Sequence, residues 1–197
     1  MREVFRVLKD NGEWYFTDVF TARRIPEELA KKVENRVDRL AGAMYVGNFR
    51  RLVQANGFND PRYPMNWKTP LSDDERAKYG DVEFATLTVR VLKSEWSEDV
   101  CENYGEIATY DGSLPGFPDF FLFDWNIKLP TGRDCPVCGN VSALAQHSRY
   151  AKVFKVVGDR SVHIADMHRA FDGLVITAPD YENVRDEDDQ PIQASCC

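Results

Sequence analysis

The chain has 197 residues, of which 43% are hydrophobic, and a formal net charge of −7. A chain of this length and composition can bury one good core, or one core and a smaller satellite. The acidic balance gives no electrostatic reason to expect nucleic acid or an anionic membrane as a partner. Because it has neither the roughly 18 continuous apolar residues of a membrane span nor a signal-peptide core, we expect a cytoplasmic protein.

The first 93 residues show helical and strand patterns in turn. The predicted elements are helices over 2–9, from Pro26, over 48–56 and from Ser72, and strands over 13–20 and 81–93. The run over 13–20 is mostly apolar, which is typical of a buried parallel strand. Ser72 and Glu75 have the spacing of a capping box. This succession of helices and strands predicts the closing half of an α/β sheet.

The start of the chain lacks a strand that a complete parallel sheet would need. It begins inside the first predicted helix, with no strand before it to make a crossover. Parallel sheets need several strands, because neighbouring strands must cover each edge. We therefore expect strands of this sheet to lie upstream of residue 1.

After residue 93 the pattern changes. Strands are predicted over 102–110, 119–129 and 152–157, with a helix over 141–148 between the last two. This pattern predicts a small α+β domain over residues 94–179. Residues 180–197 form an acidic extension that ends in two cysteines. The predicted division of the chain is thus 1–93, 94–179 and 180–197.

Four stretches of the sequence are distinctive: VFRVLKDNGEWYFTDVFTARRIPEEL, AGAMYVGNFRRLVQANGFNDPR, FLFDWNIKL and HSRYAKVF. Together with the terminal Cys196-Cys197 pair, they resemble one enzyme family, the arsenite methyltransferases. The resemblance implies the closing half of a Rossmann-like class I methyltransferase sheet, followed by a small α+β domain. It also implies, for the complete enzyme, methyl transfer from S-adenosylmethionine to trivalent arsenic held by thiolates.

Two family features do not occur in this sequence. It has no G-x-G-x-x-G-like loop, the turn whose glycines let the backbone approach a bound nucleoside. In the family motif GxCLGGALYW, the arsenic-binding cysteine aligns with Arg39 here, and arginine offers no soft thiolate. We therefore assign no catalytic or cofactor-binding residue, and expect the chain to be inactive alone and to need a donor-binding upstream half.

The cysteines are the strongest local chemical signal. With no secretory signal, the five cysteines favour thiols or metal ligands over a disulfide framework. Cys135 and Cys138 form a C-x2-C-G knuckle, which together with Cys196 and Cys197 supplies four soft ligands for zinc or trivalent arsenic. The alternatives are an exposed loop without metal, a redox-active pair and a disordered end. Cys101 lies at the start of a predicted strand and is interpreted as a buried packing residue and not as a ligand.

A second function is compatible with these thiols, namely a non-catalytic module that binds arsenic or zinc. Other candidates are weaker. His163, Asp166 and His168 have a spacing that suits metal ligands, although a helix surface explains them better. His147 is expected to make a polar contact. Asp18 ends a predicted strand, where it either faces a substrate cleft or makes a structural hydrogen bond.

Overall fold

The computed structural model describes residues 1–31 and 40–167. The helices are α1 (Arg2–Val7), α2 (Glu27–Lys31), α3 (Val46–Gln54), α4 (Asp73–Tyr79) and α5 (Gly139–His147). The strands are β1 (Glu13–Thr21), β2 (Met44–Tyr45), β3 (Pro61–Lys68), β4 (Phe84–Leu92), β5 (Glu102–Asn103), β6 (Ile107–Tyr110), β7 (Phe120–Asp124), β8 (Ile127–Pro130), β9 (Asp134–Pro136), β10 (Phe154–Val157) and β11 (Ala165–Asp166). None of the helices in these two ranges is long and apolar enough to cross a membrane.

The larger sheet has the strand order β2-β1-β4-β3. β1 runs antiparallel to β4 along its whole length and meets β2 in parallel only at Phe20 and Thr21. The predicted parallel pairing is therefore confirmed only against β2. Against β4, which returns between β1 and β3, β1 is antiparallel. Its burial is also incomplete, since Tyr15 is 43% exposed. The predicted α/β class is confirmed.

Helices α1 and α3 cover one face of this sheet. α3 buries Val46, Phe49 and Val53 against the strands. The predicted amphipathic helix is therefore confirmed, and it begins and ends two residues earlier than predicted. Gly57 follows it with φ of 92°. The Phe5 ring of α1 lies 2.8 Å from where a Cβ at this position would be. Glycine is required here both for the backbone conformation and for the close approach of α1.

The capping box at α4 is confirmed. The Ser72 hydroxyl accepts a hydrogen bond from the Glu75 amide, and the Glu75 carboxylate accepts one from the Ser72 amide. This reciprocal pair satisfies two amides that the helix itself leaves without acceptors. The helix ends at Tyr79, which packs with Leu40, Val82 and Phe84 in a second apolar cluster.

Residues after 93 build small sheets around α5. Two predicted strands are each split in two: Gly105, with φ of 72°, separates β5 from β6, and a tight turn at Trp125 and Asn126 makes β7 and β8 a hairpin. Splitting 119–129 brings the apolar residues of both arms into one core. Strand β9 was not predicted, because it is only three residues long. The predicted helix over 141–148 is confirmed, with its start at Gly139.

Buried polar contacts join the two halves of the chain. The Arg90 guanidinium donates from Nη1 to the carbonyls of Leu122 (2.9 Å) and Phe123 (3.0 Å). Its Nε lies 2.6 Å from the Glu13 carboxylate, whose side chain is 3% exposed. Hairpin β7–β8 is thus held against the large sheet by a cation from β4.

Candidate functional site

Cys135 and Cys138 are fully buried, with exposed fractions of 0%. Cys135 lies in β9, opposite Ala108 of β6, and Cys138 is the N-terminal capping residue of α5. The alternative of an exposed loop is therefore wrong. The two residues lie on different elements, a strand and a helix start, in place of a single knuckle turn.

Cys135 is in a disulfide bond. Cys101 and Cys138 are not disulfide-bonded, so neither is its partner. The expectation of thiols throughout is therefore wrong for Cys135. In this state its sulfur is not a thiolate ligand.

The four-cysteine metal site stays a prediction, because Cys196 and Cys197 lie outside the described residues. Within residues 1–31 and 40–167, no three His, Cys, Asp or Glu side chains are grouped so as to hold a metal ion.

Cys101 and Cys138 form a pair that sequence reasoning missed. Their thiols are hydrogen-bonded to each other, and the Arg62 guanidinium donates from Nη2 to the Cys101 sulfur at 3.1 Å. The hydrogen bond to Cys138 and burial raise the pKa of the Cys101 thiol, against the opposing charge of Arg62. The Cys101 sulfur is therefore a thiol at neutral pH. No local pattern relates the two cysteines, because tertiary packing alone brings them together.

Arg62 is the centre of this polar cluster and is only 2% exposed. Its Nε donates to the Asp60 carboxylate at 2.5 Å, and its Nη1 lies 3.8 Å from the Asp124 carboxylate. The guanidinium also lies over the Phe123 ring, 5.0 Å from its centroid. Two buried carboxylates and an aromatic face thus compensate the buried cation.

The predicted histidine sites have ordinary surroundings. His163 Nε2 lies 2.8 Å from the Glu102 carboxylate, and its ring meets the Tyr104 ring edge-on at 5.5 Å. The Asp166 side chain and His168 lie outside the described residues. The His147 ring stacks on Trp96, with centroids 4.8 Å apart.

Asp18 and Arg39 are the two candidates from the first domain. Asp18 is exposed and lies before the end of β1, which continues to Thr21, so its predicted strand-end position is wrong. Its carboxylate accepts a hydrogen bond from the Val19 amide at 2.8 Å. Arg39 lies outside the described residues. Its neighbour Leu40 is fully buried in the apolar cluster beside α4.

A groove of about 580 Å³ opens beside that cluster. Its lining includes Thr69, Leu71, Arg76, Val82 and Phe84, which come from α4 and the segments on either side of it. Val82 and Phe84 of this lining pack with Leu40, which belongs to the segment that the family resemblance assigns to arsenic binding.

Comparisons with known proteins agree on one family. Residues 104–197 match the model of the arsenite methyltransferase C-terminal domain. An arsenite methyltransferase from Aquipseudomonas alcaligenes is 38% identical over 164 residues, which are 83% of this chain and 47% of that protein. The arsenite methyltransferase of Homo sapiens is 30% identical over 159 residues, or 79% of this chain and 41% of that protein.

A solved structure agrees as well. The crystal structure of an arsenic(III) S-adenosylmethionine methyltransferase from Chlamydomonas reinhardtii is similar with a TM-score of 0.80 and 32% identity, over 85% of this chain and 56% of that one. The chain is thus similar to the C-terminal part of the arsenite methyltransferases. It spans about half the length of the curated relatives it matches.

Two segments that carry the family resemblance meet at the Arg62 cluster. Arg62 ends GFNDPR and Asp124 belongs to FLFDWN. Asp124 Oδ1 accepts hydrogen bonds from the amides of Tyr63 (3.0 Å) and Trp125 (2.8 Å). The carboxylate thereby fixes the end of β7 against the start of β3. Its role is structural, at the junction of the two halves.

Burial raises the pKa of Asp124 from 3.8 to about 6, although Arg62 and the two amides act in the opposite direction. The folded state then binds a proton more tightly than the unfolded state, so this group's stabilisation is lost as pH rises from about 4 through about 6. Asparagine keeps Oδ1 as an acceptor but does not titrate.

We expect wild type to lose about 1–3 kcal/mol more of its free energy of unfolding between pH 4 and pH 7 than Asp124→Asn does. Urea denaturation at a series of pH values measures this difference. Parallel pH profiles for the two proteins would contradict the raised pKa of Asp124.

Proposed function

We propose that this chain is the acceptor-side part of an enzyme that transfers a methyl group from S-adenosylmethionine to trivalent arsenic. The family relationship supports the reaction class, and the Chlamydomonas reinhardtii neighbour is named as an enzyme of that donor and acceptor. The chain's residues would cover the acceptor cleft, and none is assigned a catalytic proton transfer.

The observation that carries the proposal is the free edge of β1. Residues 13–19 of β1 have a strand partner on one side only, β4, among the described residues. An unpaired edge with a row of amides and carbonyls is a site where further strands add. We propose that a donor-binding half of the Rossmann-like sheet continues from this edge.

The described residues of this chain do not fit the methyl donor. Two glycines lie in the first turn of a helix that closely follows a strand, and protein atoms fill the space beside each. At Gly47 the Tyr45 ring lies 2.7–2.8 Å from the Cβ position, and at Gly139 the side chains of Glu98, Arg160 and Tyr104 lie 3.0–3.1 Å away. Neither turn has room for the close approach of a nucleoside. The donor chemistry therefore belongs to the proposed partner half.

A non-catalytic thiol module is the second candidate function. The hydrogen-bonded Cys101–Cys138 pair favours it, because two adjacent thiols suit a soft acceptor. This candidate needs no donor. It is distinguished from the first by whether the chain supports methyl transfer once a donor-binding half is supplied.

If the donor site lies in the proposed upstream half, this chain alone should not bind the methyl donor, whereas a chimera that contains both halves should. We expect the 197-residue chain to bind no S-adenosylmethionine at micromolar concentration in a calorimetric titration. A chimera, in which this chain replaces the matching part of the Aquipseudomonas alcaligenes relative, is expected to bind it. Micromolar binding by the chain alone would contradict the assignment of the donor site to the proposed upstream half. A folded chimera without binding would contradict the proposed continuation of the sheet.

A further inference from the structure

We propose that Cys101 and Cys138 form a dithiol site for a trivalent arsenical that carries one organic substituent, an inference that rests on the proposed function for its choice of ligand. The disulfide-bonded Cys135 is not part of this site. Neither of the two residues belongs to the segment at Arg39 that the family resemblance assigns to arsenic binding.

The pair is held in place from both sides. Cys138 caps α5 and is fully buried, and Cys101 precedes β5 and is partly exposed. The Asn140 side chain joins the two segments: its amide donates to the carbonyls of Glu98 (2.9 Å) and Val100 (3.1 Å), and its oxygen accepts from the Glu98 amide (2.7 Å). The start of α5 and the segment before Cys101 therefore form one rigid unit. A prearranged pair loses little entropy when one ligand joins both sulfurs.

The charges around the pair select against a metal cation. The Arg62 guanidinium lies 3.1 Å from the Cys101 sulfur, where it repels a divalent ion. The nearby carboxylates of Asp60 and Asp124 are already directed at Arg62. A trivalent arsenical of the class RAs(OH)2 is neutral, so the Arg62 guanidinium does not repel it. It also needs only two sulfur ligands, and no group of three metal ligands occurs among the described residues.

The binding step is a condensation without change of oxidation state. Two As–S bonds form and two As–O bonds break, and each hydroxide leaves as water with one thiol proton. Because each thiol proton leaves in a water molecule, the reaction of two thiols releases no net proton. Zinc binding to the same thiols would release protons and would weaken as pH falls.

Access begins at Cys101, because its side chain is partly exposed and that of Cys138 is not. The first As–S bond forms there, and the adjacent Cys138 thiol then displaces the second oxygen. Backbone hydrogen bonds from the Ile164 amide to the Asn103 carbonyl (2.8 Å) and from the Met167 amide to the Cys101 carbonyl (2.6 Å) fix the backbone on both sides of Glu102. Because the As–S bond occupies the Cys101 sulfur, arsenical uptake should protect Cys101 from alkylation.

Phenylarsine oxide is a suitable probe, since it delivers one aryl arsenic that two thiols convert to a dithioarsenite and one water. The full chain, purified without reductant so that the Cys135 disulfide is retained, is titrated and measured by native mass spectrometry. We expect one adduct per chain, loss of two titratable thiols, and an affinity that changes less than about threefold between pH 6 and pH 8. Cys101→Ser and Cys138→Ser should each weaken binding on the order of 100-fold, because a single thiol lacks the second, effectively intramolecular, bond.

The matched control keeps the pair and removes the other three cysteines, by Cys135→Ser together with deletion of residues 196–197. It should bind like wild type. Loss of binding in this control with retention in Cys101→Ser would overturn the proposal and assign the ligands to Cys135 and the tail. Protection of Cys101 in wild type against N-ethylmaleimide, mapped on peptides, tests the site without any variant. Undiminished alkylation of Cys101 in the adduct would overturn it.

The inference and the proposed function fail separately. Methyl transfer by the chimera without phenylarsine oxide uptake by the chain contradicts the dithiol site alone. Uptake at Cys101 and Cys138 without methyl transfer contradicts the proposed function alone. An affinity that falls tenfold or more per pH unit on acidification would indicate a thiolate-bound cation and overturn the arsenical assignment.

Discussion

Replacing Arg90 by methionine is expected to lower the free energy of unfolding by about 3–5 kcal/mol. Arg90 is 6% exposed. Its guanidinium forms an ion pair with the Glu13 carboxylate and donates hydrogen bonds to two carbonyls of β7. It also lies over the rings of Phe121 and Tyr150, 5.2 and 5.5 Å from their centroids. Methionine preserves most of the volume but leaves a buried carboxylate and two carbonyls without this donor.

Arg149 provides the matched control. It also lies 2.6 Å from the Glu13 carboxylate, but its side chain is 65% exposed. Arg149→Met should therefore cost less than about 1 kcal/mol. Chemical denaturation of the three proteins measures the difference. If Arg90→Met is no more destabilising than Arg149→Met, the buried pair is not what joins hairpin β7–β8 to the large sheet.

Arg62→Met is expected to have an effect of similar size, about 3–5 kcal/mol, for a related reason. It removes the cation between the carboxylates of Asp60 and Asp124, of which the second is fully buried. The burial cost of those charges then goes uncompensated. The free energy of unfolding from urea denaturation at pH 7 is the measurement.

Neutralising one of the two carboxylates should restore part of this loss. The double variant Arg62→Met, Asp124→Asn is expected to recover about 1–2 kcal/mol relative to Arg62→Met, since it leaves one fewer buried charge. Arg6→Met is the surface control, because Arg6 and Glu3 pair at 2.8 Å with both side chains more than two-thirds exposed, and it should cost at most about 0.5 kcal/mol. Additive effects of Arg62→Met and Asp124→Asn would show that the two residues do not interact.

Local signals in the sequence predicted local structure well. The capping box at Ser72 depends on two residues three positions apart, and the helix over 48–56 on apolar residues one turn apart. Both patterns contain the interactions that form the element. The family resemblance was likewise carried by continuous stretches, and the comparisons confirm it.

Features that depend on distant contacts were not predictable in the same way. No glycine or proline marks the turn between Phe120 and Leu129, so the hairpin appeared as one strand. The antiparallel pairing of β1 with β4 depends on how the chain returns to form β4, which the apolar run of β1 does not reveal. Arginine is ordinarily exposed, so nothing in GFNDPR indicated that Arg62 is buried. The Cys101–Cys138 pair depends on Asn140 holding two segments together.

The most direct test of the account is methyl transfer by the chimera. With arsenite, S-adenosylmethionine and a thiol reductant, we expect methylated arsenic, separated by liquid chromatography and detected by elemental mass spectrometry. The chain alone should give none. Because the family resemblance aligns Arg39 with an arsenic-binding cysteine, the chimera with Arg39→Cys should be faster than the one that retains Arg39. A folded, donor-binding chimera that forms no methylated arsenic with either residue at position 39 would contradict the claim that this chain is the acceptor-side part of such an enzyme.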